Sequence, residues 1–274
     1  MNAPADQAPG GAGRRLSRAG GDGRPKAPVK LLHLGVGNFF RAHQAYYTEM
    51  SNAETSNAET SGPGSEQEWG YAAFTGRSAA IADELAPQDG LYTLVIKHAD
   101  RTENVVISSI SAVHAGPDVA ALRAYFASPD LAVVTSTVTE AGYVRDAQGA
   151  LNLADEKVAA DLAALQADPL GGDVVTAPGK FVAGLLARRA AGAGAITFVP
   201  CDNVPDNGLM VQRVITDLAA QVDPTLGGWI ADHCSFVTTM VDRITPRTTD
   251  EDRAALLAAW RDYRARPVDE RGRA

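Results

Sequence analysis

Four stretches of the 274-residue chain put chemically able side chains where an apolar run stops. In LLHLGVGNFFRAH, residues 31–43, the run meets Gly35, takes Gly37 two residues on, and turns basic and helix-like. Glycines at such a turn allow positive φ and let backbone N–H groups approach a ligand. A helix N-terminus behind them favours a negative group, typically the pyrophosphate of a dinucleotide. Gly35 and Gly37 supply the first two glycines of that fingerprint, and Phe40 stands in the place of the third. On these residues alone, a tight strand-to-helix turn without a ligand fits as well. Glu140, in VTEAGY at 138–143, falls at the end of an apolar run, either facing a ligand or capping the next helix. Asn203, in CDNVPDNG at 201–208, carries an amide that donates to a developing alkoxide or a carbonyl oxygen without titrating. Its alternative is an Asx-turn closing the strand, and Asp202 and Asn207 read as loop-shaping residues. Asp242 sits beside Arg243, an arrangement that by itself is a surface ion pair of little worth. His43 reads equally as a packing, capping or site residue.

The elements that must position these residues alternate along the chain. Residues 29–34, 69–74, 131–138, 195–200 and 235–241 read as strands, the first and third of them buried. Helical spacing marks Phe39, Ala42, Tyr46 and Met50, then Val158, Leu162 and Leu165, then 181–189, then Val211, Val214, Ile215 and Leu218. LYTLVIK at 91–97 and ENVVISSIS at 103–111, joined by the polar HADRT, read as an antiparallel ribbon. The alternation implies an α/β fold, a parallel sheet with helices on both faces. Residues 1–28 read as a disordered leader, 29–258 as one domain and 259–274 as an atypical tail. The duplication SNAETSNAET at 51–60 reads as a grown surface loop, and Thr248 with Glu251 as a capping box.

A net charge of −8 and a pI near 5.1 argue against a nucleic-acid partner. No apolar run reaches the roughly 20 residues that span a bilayer, and the N-terminus has no apolar signal region. Two cysteines, Cys201 and Cys234, fit a reduced cytoplasm, and the His and Cys positions show no metal-ligand spacing.

Five blocks, HLGVGNFFRAHQAYYT, QDGLYTLVIK, VTEAGY, CDNVPDNG and MVDRITPRTT, occur in the order found in the mannitol dehydrogenase family, the polyol-specific long-chain dehydrogenases. Together they span residues 29 to about 253, and the chain resembles that family over this range. The resemblance implies a Rossmann-like doubly wound domain and zinc-independent interconversion of a polyol and its ketose, of the mannitol and fructose type, with NAD or NADP. It places the cofactor pyrophosphate over Gly35, Val36 and Gly37, with Asn38, Phe39, Phe40 and Arg41 beside it; Phe40 replaces the family's usual His. It puts Glu140 on the proton path out of the active site, Asn203 on the substrate oxygen, and Asp242 near the polyol hydroxyls. Past the second strand, in FTGRSAA, Arg77 stands where an NAD-specific fold carries an acid. That predicts acceptance of NADP at least as well as NAD, although a solvated Arg77 at a helix start is the plain alternative.

The family's general base is a Lys within a Lys-x4-Asn-x2-His block on a helical C-terminal domain, and no such block occurs here. The chain therefore reads as the cofactor-binding domain without its catalytic partner domain, with residues 261–274 in the manner of a frameshift or early stop. Two other readings remain open: a sugar-acid oxidoreductase of the fructuronate-reductase type, and a cofactor-binding fragment without turnover.

Overall fold

The computed structural model describes residues 15–57, 67–76, 78–241 and 244–265. β1 (Val29–Leu34) runs into α1 (Asn38–Ala42) and, past a break at His43, α2 (Gln44–Asn57). β2 (Gly70–Phe74) precedes α3 (Ala80–Leu85), the strands β3 (Tyr92–Lys97) and β4 (Thr102–Ile107), and β5 (Ile110–His114). α4 (Val119–Phe126), β6 (Val133–Ser136), α5 (Glu156–Ala167) and α6 (Ala177–Ala191) follow. β7 (Ile196–Pro200), α7 (Asn207–Val222), α8 (Leu226–His233), β8 (Cys234–Phe236) and α9 (Asp250–Ala265) come last.

Six strands form one parallel sheet in the order β5-β2-β1-β6-β7-β8, and β3 and β4 form a separate antiparallel ribbon. Strand order therefore reverses between β1 and β6, the point at which open α/β sheets bind ligands beyond their carboxyl ends. Side chains alternate across the sheet. Leu32, Leu34, Val134 and Phe198 face the core built with Phe126, Phe181, Val211 and Leu218 of α4, α6 and α7. Leu31, Tyr71 and Ala73 face the other layer, with Phe40, Ala45 and Leu85. Among the described residues no helix is long and apolar enough to cross a membrane.

Several boundaries differ from those expected, each for a local reason. The ribbon strand stops at Ile107 because the serines after it are taken elsewhere: the Ser108 N–H donates to Glu49 Oε2 (2.6 Å) and the Ser109 hydroxyl to the Ala45 carbonyl (2.7 Å). The chain turns there, and β5 joins the parallel sheet instead. α2 runs on through the first copy of the duplication to Asn57; residues 58–66 lie outside the described residues. β8 ends at Phe236, because Thr239 bonds to the Asn207 side chain rather than to a ladder. The cap of α9 is Thr249 with Asp252, one residue past the expected pair, and the helix crosses residue 258.

Residues 15–28, read above as part of a leader, are packed. Arg18 donates to the carbonyls of Ser108 (2.8 Å) and Ile110 (3.1 Å). Arg24 bridges Glu49 (3.4 Å) and Glu68 (3.1 Å), both buried, and so fastens this segment to α2 and to the entry of β2. Removing one partner of a buried ion pair leaves the other charge uncompensated. Arg24→Ala is expected to lower unfolding free energy by about 3 kcal/mol in urea titration, against no measurable change for Arg101→Ala, whose side chain is 62% exposed.

Candidate functional site

The strand ends line up on one rung. Leu34 pairs with Phe74 on one side and Ser136 on the other, and Ser136 pairs with Pro200. The next residues continue the ladder: Gly35 N–H to the Phe74 carbonyl (2.8 Å), Thr137 N–H to Leu34 (3.0 Å), Cys201 N–H to Ser136 (2.8 Å). Gly35, Thr137 and Cys201 thus form a continuous edge across the switch point, and the loops carrying Glu140 and Asn203 leave from it.

Gly35 has φ of 111° and lies so close to β6 that a Cβ on it would sit 2.4 Å from the Thr137 carbonyl oxygen. Only glycine fits there. Gly37, the N-cap of α1, is different: a Cβ there would meet nothing within 4 Å. The ground over the turn is open, and the N–H groups of the first helical turn have no acceptor within the helix. This suits an anionic group held by backbone donors. Val36 is buried, Gly37 and Asn38 are exposed, and Phe39 stacks on His43 with centroids 4.9 Å apart. Arg41 donates to Asn38 Oδ1 (2.5 Å) and lies over the Tyr92 ring at 5.7 Å. The Phe40 side chain points away from the open ground. It is fully buried, stacked on His33 at 3.6 Å, so it packs beneath the turn rather than beside a ligand. His43, half-buried at the α1–α2 break, meets the Tyr47 ring edge-on with centroids 5.1 Å apart.

Glu140 opens a 3-10 turn, Glu140–Tyr143, just past β6. Its side chain is 70% exposed and pairs with Arg145 at 2.6 Å. Asn203 is exposed at the apex of a turn that the backbone closes, Val204 N–H to the Asp202 carbonyl at 2.8 Å. Arg77 and Asp242 lie outside the described residues.

Sequence reasoning missed what holds Glu140 and Asn203 at one edge. Tyr143, on the Glu140 turn, is fully buried and its hydroxyl donates to Asp202 Oδ2, next to Asn203. Ser136 Oγ, at the end of β6, lies 3.3 Å from the same oxygen and 2.8 Å from the Tyr143 hydroxyl. Burial pushes the Asp202 carboxyl up to about 6 in spite of these bonds, and burial and the carboxylate together push Tyr143 well above the usual phenol range. Asn207, also fully buried, donates to the carbonyls of Asp202 (3.0 Å) and Thr239 (3.1 Å) and accepts the Thr239 N–H (2.9 Å). It ties the loop after β7 to the segment after β8. Both residues shape the loop, as read from the sequence. The signals for the clasp were Tyr143 and Asp202 standing inside two motifs already singled out.

A family profile described as "Mannitol dehydrogenase Rossmann domain" matches residues 29–270. The chain belongs to the mannitol dehydrogenase family. It is 35% identical over 235 residues to the uncharacterized oxidoreductase YeiQ of Escherichia coli K12, across 83% of this chain and 44% of that protein. To the D-mannonate oxidoreductase of the same organism it is 35% identical over 234 residues, across 81% of this chain and 44% of that one. A solved structure of Pseudomonas fluorescens mannitol 2-dehydrogenase, a ternary complex with NAD and D-mannitol, superposes with a TM-score of 0.73 at 37% identity, covering 85% of this chain and 45% of that one. The chain therefore spans less than half the length of these mannitol dehydrogenase relatives.

The Asp202 clasp has a pH signature. A carboxyl group raised from 3.8 to about 6 on folding binds its proton more tightly in the native state. Stability is therefore greatest with Asp202 protonated and falls as pH rises from about 4 to about 6. Asp202→Asn keeps an acceptor for Tyr143 without the charge. It should be more stable than the natural chain by roughly 1–3 kcal/mol at pH 8, with the difference shrinking toward zero at pH 4. Urea unfolding of both proteins at the two pH values measures it.

Proposed function

We propose that this chain supplies the cofactor-binding part of an NAD(P)-dependent oxidoreductase that interconverts a polyol, or a sugar acid, with its keto form. The observation that carries the reading is the Gly35–Gly37 turn at the strand-order reversal, with open ground over Gly37 and helix N–H groups behind it. Family membership supports the same assignment, and a relative solved with NAD and D-mannitol supports the polyol class. The D-mannonate oxidoreductase among the relatives supports the sugar-acid alternative.

Bound nicotinamide supplies the hydride carrier. The chain's part begins with the backbone N–H groups of Val36, Asn38 and Phe39 holding the pyrophosphate, since that of Gly37 is spent on the Gly35 carbonyl, with Arg41 adding positive charge beside them. Arg77, past β2, is proposed to meet the 2′-phosphate of NADP. At the substrate end, the Asn203 amide donates to the reacting oxygen, where preorganised donors stabilise developing negative charge. Glu140, exposed at the mouth of the same edge, passes the hydroxyl proton toward solvent. Asp242 is assigned to the remaining hydroxyls. A general base must take that proton from the alcohol. These 274 residues hold no Lys-x4-Asn-x2-His block, so the reading assigns the role of base to none of them.

Two outcomes test this. NADH added to the purified chain should give saturable fluorescence enhancement. Gly37→Val, which has room for its side chain in the fold, should abolish the enhancement while leaving the melting temperature within a few degrees. Equal affinity of the two proteins would contradict the cradle. The chain alone should show no mannitol oxidation or fructose reduction above background in a coupled absorbance assay, since general acid–base catalysis alone is worth about 10²–10⁴-fold. Turnover at an ordinary dehydrogenase rate would place a base within these residues.

A further inference from the structure

His33 has no part in the chemistry assigned above, yet it is fully buried beneath the glycine turn and engaged on every side. The Phe40 ring lies flat on it, 3.6 Å between centroids with planes 6° apart, and Tyr71 meets it edge-on at 6.4 Å. Its Nδ1 is 2.7 Å from the Thr135 hydroxyl, and its Nε2 is 2.9 Å from the Gly35 carbonyl oxygen and 3.0 Å from Thr137 Oγ1. A carbonyl only accepts, so Nε2 carries the proton and Nδ1 accepts from Thr135. Burial pushes the imidazole down to about 3, which keeps it neutral at ordinary pH.

The Gly35 carbonyl receives two further donors, the Thr137 hydroxyl at 2.7 Å and the Gly37 N–H at 2.7 Å. One oxygen thus takes three hydrogen bonds. In a trans peptide the C=O and the following N–H point in opposite directions. Drawing the Gly35 oxygen in toward His33 therefore turns the Val36 N–H away from the imidazole, and the Gly37 bond fixes the next peptide in step.

We propose that His33 is a positioning residue for cofactor binding: through the Gly35 carbonyl, and jointly with Thr137, it sets the orientation of the backbone donors that receive the pyrophosphate. Phe40 keeps the imidazole in plane for that bond. The proposal rests on the cofactor reading. It goes beyond it by giving the cradle's shape a side-chain origin outside the glycines.

The test is titration of the 274-residue chain and its variants with NADH and with ADP, whose diphosphate probes the cradle alone. His33→Leu removes the donor; His33→Gln retains an N–H near the Nε2 position; Thr137→Val removes the second side-chain donor with little change in shape. His33→Leu and Thr137→Val are each expected to weaken both ligands by a similar factor, roughly tenfold or somewhat less for one lost hydrogen bond. His33→Gln should recover most of the loss. A packing role alone would move melting temperature and leave the ligand affinities of folded protein unchanged. Should His33→Leu fail to fold, Thr137→Val decides the matter by itself. Folded variants that bind as the natural chain does overturn the proposal, as does His33→Gln binding no better than folded His33→Leu. If the natural chain binds neither ligand, the cofactor reading falls, and the positioning role with it.

Discussion

The approach of β1 to β6 at the reversal of strand order is the contact on which the rest of the edge depends. Gly35 comes so near the Thr137 carbonyl that a single added carbon would lie 2.4 Å from it, so the two loops leaving these strands start from nearly one point. One loop carries the backbone N–H groups of Val36, Asn38 and Phe39 and the other carries Glu140. A side chain at Gly35 would push the strands apart, unseat three hydrogen bonds to its carbonyl, and separate the two halves of the site. The register of the parallel sheet, Leu34 with Ser136 and Ser136 with Pro200, places Asn203 on the same edge one strand further along.

Buried polar groups lock this arrangement. Asp202 draws Tyr143 and Ser136 onto one carboxylate, and Asn207 holds Thr239 against the end of β7. A carboxyl group as enclosed as Asp202 opposes its own ionisation, so the clasp is stored at some expense to stability near neutral pH. Functional edges tolerate such groups because each fixes a loop that few apolar contacts could hold. The same holds for His33, a neutral imidazole spent on orienting one carbonyl.

The hydrophobic periods made the strands and long helices legible, since β1, β2, β6 and β7 are apolar runs bounded by glycine or polar residues. The motifs gave the edge residues Gly35, Glu140 and Asn203 their places. What escaped was decided by side chain-to-backbone bonds between segments distant in sequence. The turn at Ser108 depends on Glu49, 59 residues away; the early end of β8 depends on Asn207, 32 residues from Thr239. The packing of residues 15–28 likewise hangs on Arg24 finding Glu49 and Glu68, which no local pattern announces. Phe40 is a related case: helical spacing puts it near the turn, and its stacking on the buried His33 imidazole turns its ring inward.

Amide chemical-shift mapping on the 15N-labelled chain during addition of NADH tests the central claim most directly. A cradle at the strand-order reversal predicts that the largest shifts fall on the amides of Val36, Gly37, Asn38 and Phe39, with Thr137 moving beside them and the α5 and α8 amides still. Shifts centred elsewhere, for instance on the cavity beside α2 lined by Gln44, Asn52 and Trp69, with residues 36–39 unmoved, would contradict it.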